Sequence, residues 1–128
     1  AEPVSLEALL EQADFVSLHT PLTPATRGRM NAERLRRMKP TAYLVSTARG
    51  GIIDEAALHT ALTDGTLPAA ALDVFDREPP DPANPLFKLP NLIASPHIAG
   101  VTIEAMDRMS VEAVKNVFAV FDGAPLVP

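Results

Sequence analysis

Short apolar segments recur along the chain and alternate with segments of helical periodicity. The apolar segments predict β-strands at 14–19, 42–46, 70–75 and 92–95. Strands that alternate with helices in this way are typical of βαβ units. Because the strands are apolar at almost every position, we expect a parallel sheet with helices on both faces. The predicted fold class is therefore α/β.

Three helices are predicted, the first before the first strand and the other two between successive strands. In the first, apolar residues repeat at helical spacing behind Ser5, which can cap the helix. The second runs over 31–38 and is stopped by Pro40. In the third, Asp54 is the expected N-cap and Gly65 the C-terminal stop.

Two further segments depart from this regular alternation. Five prolines lie between residues 78 and 91, which predicts an irregular loop in that crossover, and long loops of this kind are often functional. After the last strand, Thr102 can cap a helix that reaches Asp122 and ends at Gly123. About 20 residues span roughly 30 Å, so we expect this helix to bridge to another domain or subunit.

The composition excludes several classes of protein. A chain of 128 residues with 47% hydrophobic residues is long enough for one buried core. A net charge of −5 argues against nucleic acid as a partner, and no apolar run is long enough to span a membrane. With no cysteine and three dispersed histidines, we expect no metal site, and a reducing, cytoplasmic location is compatible.

Three chemically active residues follow three different strands. They are Arg49, Glu78 and His97, and parallel pairing would bring them to one edge of the sheet. Arginine binds a carboxylate through two hydrogen bonds, and a histidine beside a glutamate can exchange a proton near neutral pH. Reduction of a 2-oxo acid needs these groups together with a hydride donor, which only a cofactor can supply.

Four segments that carry these residues resemble the NAD-binding domain of the D-isomer-specific 2-hydroxyacid dehydrogenases. They are 19–28 (HTPLTPATRG), 46–58 (STARGGIIDEAAL), 71–79 (ALDVFDREP) and 95–100 (SPHIAG), and the resemblance covers essentially the whole chain. It implies the carboxyl-terminal half of a Rossmann-type doubly wound parallel sheet that ends in a long helix. Residues 1–101 would be a partial NAD-binding domain, and 102–128 would lead back toward a substrate-binding domain.

The resemblance also implies a role for each site residue. Arg49 would hold the substrate, His97 would be the general acid and base, and Glu78 would be its carboxylate partner. Formate dehydrogenases of this superfamily carry glutamine at the position of Glu78, so the glutamate favours hydroxy-acid chemistry. The cofactor contacts implied by the resemblance are Thr20, Thr47, Ala48, Arg49, Asp73, His97, Ile98, Ala99 and Gly100.

One part of the family pattern is missing from these 128 residues. A Gly-x-Gly-x-x-Gly turn, expected before His19, is absent, as is the residue that would read the ribose. We therefore expect a carboxyl-terminal fragment of an enzyme that uses NAD, with NADP as an alternative. The fragment alone is expected to be inactive. The full-length enzyme is expected to be a homodimer that acts on a small 2-hydroxy or 2-oxo acid.

Two rival functions fit the same motifs. A nucleotide-sensing protein related to the corepressors of this superfamily would also carry the arginine, glutamate and histidine. A non-catalytic assembly module would use mainly the last helix.

Individual residues also have structural interpretations. Asp73, placed within a predicted strand, could be a hydrogen-bonded core residue, and His19 is expected to position its neighbours. The six basic residues between Arg27 and Lys39 are expected to form a solvated surface.

Overall fold

The computed structural model describes residues 2–126 of the chain. It divides into two compact units, Ala1–His97 and Ile98–Pro128, and each is described by itself. The predicted segments 1–101 and 102–128 include residues 1, 127 and 128, which lie outside the described residues.

The first unit is built on a parallel sheet. Its four strands within the described residues are β1 (Phe15–Leu18), β2 (Tyr43–Ser46), β3 (Ala69–Leu72) and β4 (Leu92–Ala94). They lie in the order β1-β2-β3-β4, and every neighbouring pair is parallel. In one register row, Val16 pairs with Leu44, Leu44 with Ala70 and Ala70 with Leu92. All four carboxyl ends therefore lie at the same edge.

Three helices form at the predicted places, one before β1 and two between successive strands. They are α1 (Leu6–Gln12), α2 (Ala32–Arg37) and α3 (Glu55–Thr63). A side chain caps each one: Ser5 accepts from the Ala8 N–H, Asn31 from the Arg34 N–H and Asp54 from the Ala57 N–H. Each cap satisfies a backbone donor that the first helical turn leaves without a partner. The caps at Ser5 and Asp54 are as predicted.

The core lies between the helices and one face of the sheet. Each helix contributes a fully buried leucine, Leu10, Leu35 and Leu58. They belong to one cluster with Val16 and Leu44 from a single face of the strands. Side chains alternate between faces along a strand, so the opposite face carries a different set. In this unit the expectation of helices on both faces is not met, because α1, α2 and α3 all pack on the core face. The opposite face is open, and its exposed residues include Phe15, Tyr43 and Ile93.

The proline-rich crossover is not irregular throughout. A single 3₁₀ turn, Pro85–Lys88, forms within it. The side chain of Asn84 accepts from the Leu86 N–H, proline fixes φ at the start of the turn, and Leu86 is buried in the core. The turn therefore anchors the end of this loop to the first unit.

The second unit contains one regular element among residues 98–126. This is α4 (Ile103–Asp122), capped by Thr102 and ended by Gly123, whose φ of 62° is in the left-handed region. The predicted bounds of this helix are correct, and the α/β class with its parallel sheet is confirmed. Within residues 2–126, no helix combines the length and apolar character needed to cross a bilayer.

Candidate active site

The contact between His97 and Glu78 that the sequence predicts is formed in the first unit. The Nδ1 atom of His97 lies 2.7 Å from Oε2 of Glu78. The other oxygen of Glu78, Oε1, accepts a hydrogen bond of 3.0 Å from the backbone N–H of Phe75. His97 directly follows Pro96 at the end of the β4 segment, and Glu78 lies in the loop after β3. The structure thus brings together two residues that are 19 positions apart in sequence.

Hydrogen bonding fixes the charge of the glutamate and the tautomer of the histidine. The bond from His97, followed by the bond from the Phe75 N–H, lowers the pKa of Glu78 below its ordinary value. Glu78 is therefore ionised at neutral pH and can only accept hydrogen bonds, so Nδ1 of His97 must carry a proton. This leaves Nε2 as the ring nitrogen that can exchange a proton with another molecule.

The backbone of His97 is in an unusual conformation. Its φ is +56°, in the left-handed region that residues other than glycine seldom adopt. Such a conformation costs on the order of 1 kcal/mol and persists where surrounding contacts hold it. The 2.7 Å bond to Glu78 is one contact that holds the ring in this position.

Asp73 lies beside this pair, at the end of β3. It is 4% exposed, and its Oδ1 accepts a hydrogen bond of 2.6 Å from the hydroxyl of Ser95. The predicted strand 70–75 is wrong at its end, because β3 stops at Leu72 and Asp73 is the first residue beyond it. The backbone N–H of Asp73 still donates to Ser46 O, so one further ladder bond forms before the chain leaves the sheet.

A cavity of about 410 Å³ opens between the loops after β3 and β4. Asp73, Glu78 and His97 line it together with Phe75 and several prolines. Charged groups thus converge on a space whose other walls are largely apolar, which is the usual character of a small-molecule site.

Arg49 lies at the same edge of the sheet but lines a different cavity. Its guanidinium donates to the carbonyl of Ala48 at 2.6 Å. The cavity, of about 500 Å³, is also lined by Thr20, Thr47 and Ala48. His19 lines it as well, with its ring Nε2 hydrogen-bonded to Ser17 Oγ at 2.7 Å. The predicted trio is thus divided between two cavities, with Arg49 in one and Glu78 and His97 in the other.

The loop that carries Arg49 approaches the loop that carries Glu78 closely at a glycine. A Cβ atom at Gly50 would lie 1.8 Å from the backbone oxygen of Phe75, so a larger residue does not fit there without a backbone shift. Phe75 in turn donates its N–H to Glu78. The turn after Arg49 therefore packs on the backbone that donates to Glu78.

Other predicted residues lie elsewhere. Ile98, Ala99 and Gly100 begin the second unit, directly after His97 in the chain. Of the basic residues, Arg34, Arg37 and Lys39 each pair with a carboxylate, at 3.5, 3.2 and 2.9 Å, which favours the solvated surface. In residues 2–126, no group of three or more histidine, aspartate or glutamate side chains is arranged to hold a metal ion.

Sequence reasoning gave no separate role to three residues that organise the site. Ser95 holds Asp73, Gly50 permits the contact between loops, and Glu55 bonds to the loop after β3. All three lie within the motif segments, but their partners are distant in sequence, so no local signal identifies those contacts.

Comparison with known proteins identifies the family of the chain. Residues 1–99 match the family described as D-isomer specific 2-hydroxyacid dehydrogenase, NAD binding domain. The chain belongs to this family. Two curated relatives are a glyoxylate reductase of Thermofilum pendens, 51% identical over 95% of the chain, and a glycerate dehydrogenase of Methylorubrum extorquens, 48% identical over 95%.

Solved structures show the same fold. A protein of Thermus thermophilus superposes with a TM-score of 0.89 at 49% identity, covering 96% of this chain and 39% of that one. The NAD complex of a D-isomer specific 2-hydroxyacid dehydrogenase from Lactobacillus delbrueckii gives 0.88 at 32% identity, covering 95% and 41%. An enzyme of the same description from Xanthobacter autotrophicus, in complex with NADPH, gives 0.84 at 38% identity, covering 95% and 50%.

The chain spans only part of these proteins. It covers 36% of the length of the glyoxylate reductase and 40% of that of the glycerate dehydrogenase.

Proposed function

We propose that this chain carries the acid–base pair and the substrate-binding arginine of an NAD-dependent D-2-hydroxyacid dehydrogenase. The observation that carries the proposal is the hydrogen bond between His97 Nδ1 and Glu78 Oε2, beside the buried carboxylate of Asp73. Family membership supports the same assignment. The substrate would be a small 2-hydroxy or 2-oxo acid.

The residues present suit a nicotinamide cofactor. Asp73 offers a buried carboxylate at a cavity wall, which is an acceptor suited to the N–H groups of a carboxamide. Thr20, Thr47, Ala48 and Arg49 would contribute to the same cofactor site from the neighbouring strand ends. Ile98, Ala99 and Gly100, which directly follow His97 in the chain, would add further contacts to the cofactor. When bound, the cofactor supplies or accepts the hydride. NADP is the alternative to NAD.

The side chains of this chain would bind the substrate carboxylate and transfer the proton. Arg49 would bind the substrate carboxylate through two hydrogen bonds. In reduction, Nε2 of protonated His97 would give its proton to the carbonyl oxygen while C2 receives the hydride, which yields the 2-hydroxy acid. Glu78 would orient the ring and keep Nδ1 protonated, so that exchange occurs at Nε2. In oxidation, neutral His97 would take the hydroxyl proton back.

The arrangement of the intact protein is part of the same proposal. Residues 1–101 would belong to the NAD-binding domain, and 102–128 would lead to a substrate-binding domain. The enzyme would be a homodimer in the cytoplasm, where the absence of cysteine from these residues suits a reducing environment.

The test uses the intact protein that contains these 128 residues. It is incubated with NADH or NADPH and glyoxylate, hydroxypyruvate, pyruvate or phosphohydroxypyruvate, and loss of the reduced nicotinamide is followed. Chiral chromatography then identifies the product formed from hydroxypyruvate. We expect turnover and D-glycerate. Formation of the L isomer, or nucleotide binding without turnover of any 2-oxo acid, would overturn the proposal, and the second result would favour a nucleotide-sensing role.

A further inference from the structure

Glu55, the first residue of α3, binds two segments that are far from it in sequence. Its Oε1 accepts a hydrogen bond of 2.6 Å from the backbone N–H of Asp76. Its Oε2 accepts a hydrogen bond of 2.9 Å from the side-chain amide of Asn84. Both carboxylate oxygens are therefore engaged by one loop, and the proposed function leaves Glu55 without a role.

Asp76 connects Glu55 to the acid–base pair. The residue before it, Phe75, donates its backbone N–H to Oε1 of Glu78. Two consecutive backbone N–H groups are thus held by two glutamates, Glu78 on one and Glu55 on the other. A shift of this short backbone segment would move the bond that orients Glu78 toward His97.

Asn84 fixes the other end of the same loop. Its Oδ1 accepts from the Leu86 N–H at 3.0 Å, which starts the 3₁₀ turn, and Leu86 is buried. The stretch 77–83, which carries Glu78, is therefore held at both ends by the side chain of Glu55. Because Leu58 and Leu62 anchor α3 in the core, Glu55 is a fixed point for that stretch.

We propose that Glu55 is a positioning residue that holds the loop after β3 so that Glu78 meets His97. The importance of this role for catalysis rests on the proposed function. The positioning of the loop by Glu55 does not depend on it. A carboxylate suits the position because two donors face it and each oxygen can accept one. A glutamine would offer one acceptor and would turn its NH₂ group toward the second donor.

The test is NMR of the intact protein that contains these 128 residues, without substrate or cofactor. Glu55→Ala removes both acceptors, and Glu55→Gln keeps the size of the side chain and one acceptor. Glu33→Gln is the matched control, because Glu33 also lies in the first turn of a helix but pairs with Arg37, at 3.2 Å. Two signals are read: hydrogen exchange of the Phe75 amide, and the downfield proton resonance of His97 Nδ1–H.

We expect exchange of the Phe75 amide to rise by about tenfold or more in Glu55→Ala and by less in Glu55→Gln. The His97 Nδ1–H resonance should shift upfield or broaden in the same order. The control should leave both signals within about twofold of the wild type.

A Glu55→Ala chain that is folded, with the Phe75 exchange rate and the His97 resonance of the wild type, would overturn the proposal. If Glu55→Ala does not fold, Glu55→Gln decides by the same two signals. Neither signal needs turnover, so failure here is distinct from failure of the dehydrogenase assignment.

Discussion

The hydroxyl of Ser95 donates to Oδ1 of Asp73 across 2.6 Å and so joins the end of β4 to the end of β3. Asp73 is buried, and a buried carboxylate is costly unless hydrogen bonds stabilise it. Ser95 also lies two residues before His97. One short hydrogen bond therefore connects the carboxylate proposed to face the cofactor with the segment that carries the proposed acid.

Two replacements of Ser95 should distinguish the effect of its hydroxyl group on stability from the effect of its size. Ser95→Ala is expected to lower the free energy of unfolding by about 1–3 kcal/mol, because it removes a hydrogen bond to a buried charge. Ser95→Thr keeps the hydroxyl, so its free energy of unfolding should fall by less. Urea unfolding of the three chains measures the difference. Equal stability of all three would show that this bond does not hold Asp73.

Gly50 provides a test of the contact between the two loops. An added methyl group would lie 1.8 Å from Phe75 O, so Gly50→Ala should lower the free energy of unfolding by about 2–3 kcal/mol through overpacking. Gly100→Ala is the control, since a Cβ atom at Gly100 would have no atom within 4 Å, and it should change stability by less than about 0.5 kcal/mol. Similar thermal midpoints for both variants would contradict the close approach.

Local signals in the sequence predicted most of the framework. Ser5, Asp54 and Thr102 cap the helices they were expected to cap, because an N-cap acts on backbone groups only two or three residues away. The positions of the four strands were also predictable from apolar runs, although the third ends at Leu72 and not at residue 75. Parallel pairing then placed Glu78 and His97 at one edge, where they form the expected pair.

The remaining features depend on contacts between distant segments. Asp73 leaves the sheet one residue after Leu72, and its hydroxyl partner is 22 positions away. The contacts of Glu55 reach across 21 and 29 positions. The positive φ of His97 likewise has no signature in a non-glycine residue. Tertiary contacts determine each of these features, so sequence periodicity alone does not predict them.

Acid should weaken the contribution of Glu78 to stability. Its pKa is lowered on folding, mainly by the bond from His97, so its stabilising effect is present above the ordinary pKa of 4.5. It is lost as pH falls through the lowered folded-state value. Wild type should therefore exceed Glu78→Gln in unfolding free energy at neutral pH, by at most about 1 kcal/mol because the pair is partly exposed. The two stabilities should converge in acid. A difference in unfolding free energy that stayed constant from neutral pH down to acid would contradict the claim that ionised Glu78 stabilises the fold.

Replacement of Ser46 by alanine should not lower stability, in contrast to replacement of a serine that caps a helix. Its Oγ is buried and has no hydrogen-bond partner within residues 2–126. Ser46→Ala removes an unsatisfied hydroxyl, so it should leave stability unchanged or raise it by up to about 1 kcal/mol. Ser5→Ala removes the cap of α1 and should cost about 1 kcal/mol. Thermal unfolding gives the comparison, and a larger loss from Ser46→Ala than from Ser5→Ala would mean that the hydroxyl has a stabilising partner.

The most direct test of the central claim is the single-turnover rate of hydride transfer in the intact protein, with NADH and hydroxypyruvate both saturating. If His97 supplies the proton, His97→Asn should lower this rate by about 10²–10⁴-fold at NADH concentrations that saturate the variant. Glu33→Gln, on the surface of α2, should react at the wild-type rate. A His97→Asn rate within about threefold of the wild type, or no hydride transfer in the wild type itself, would contradict the acid–base role assigned to the His97–Glu78 pair.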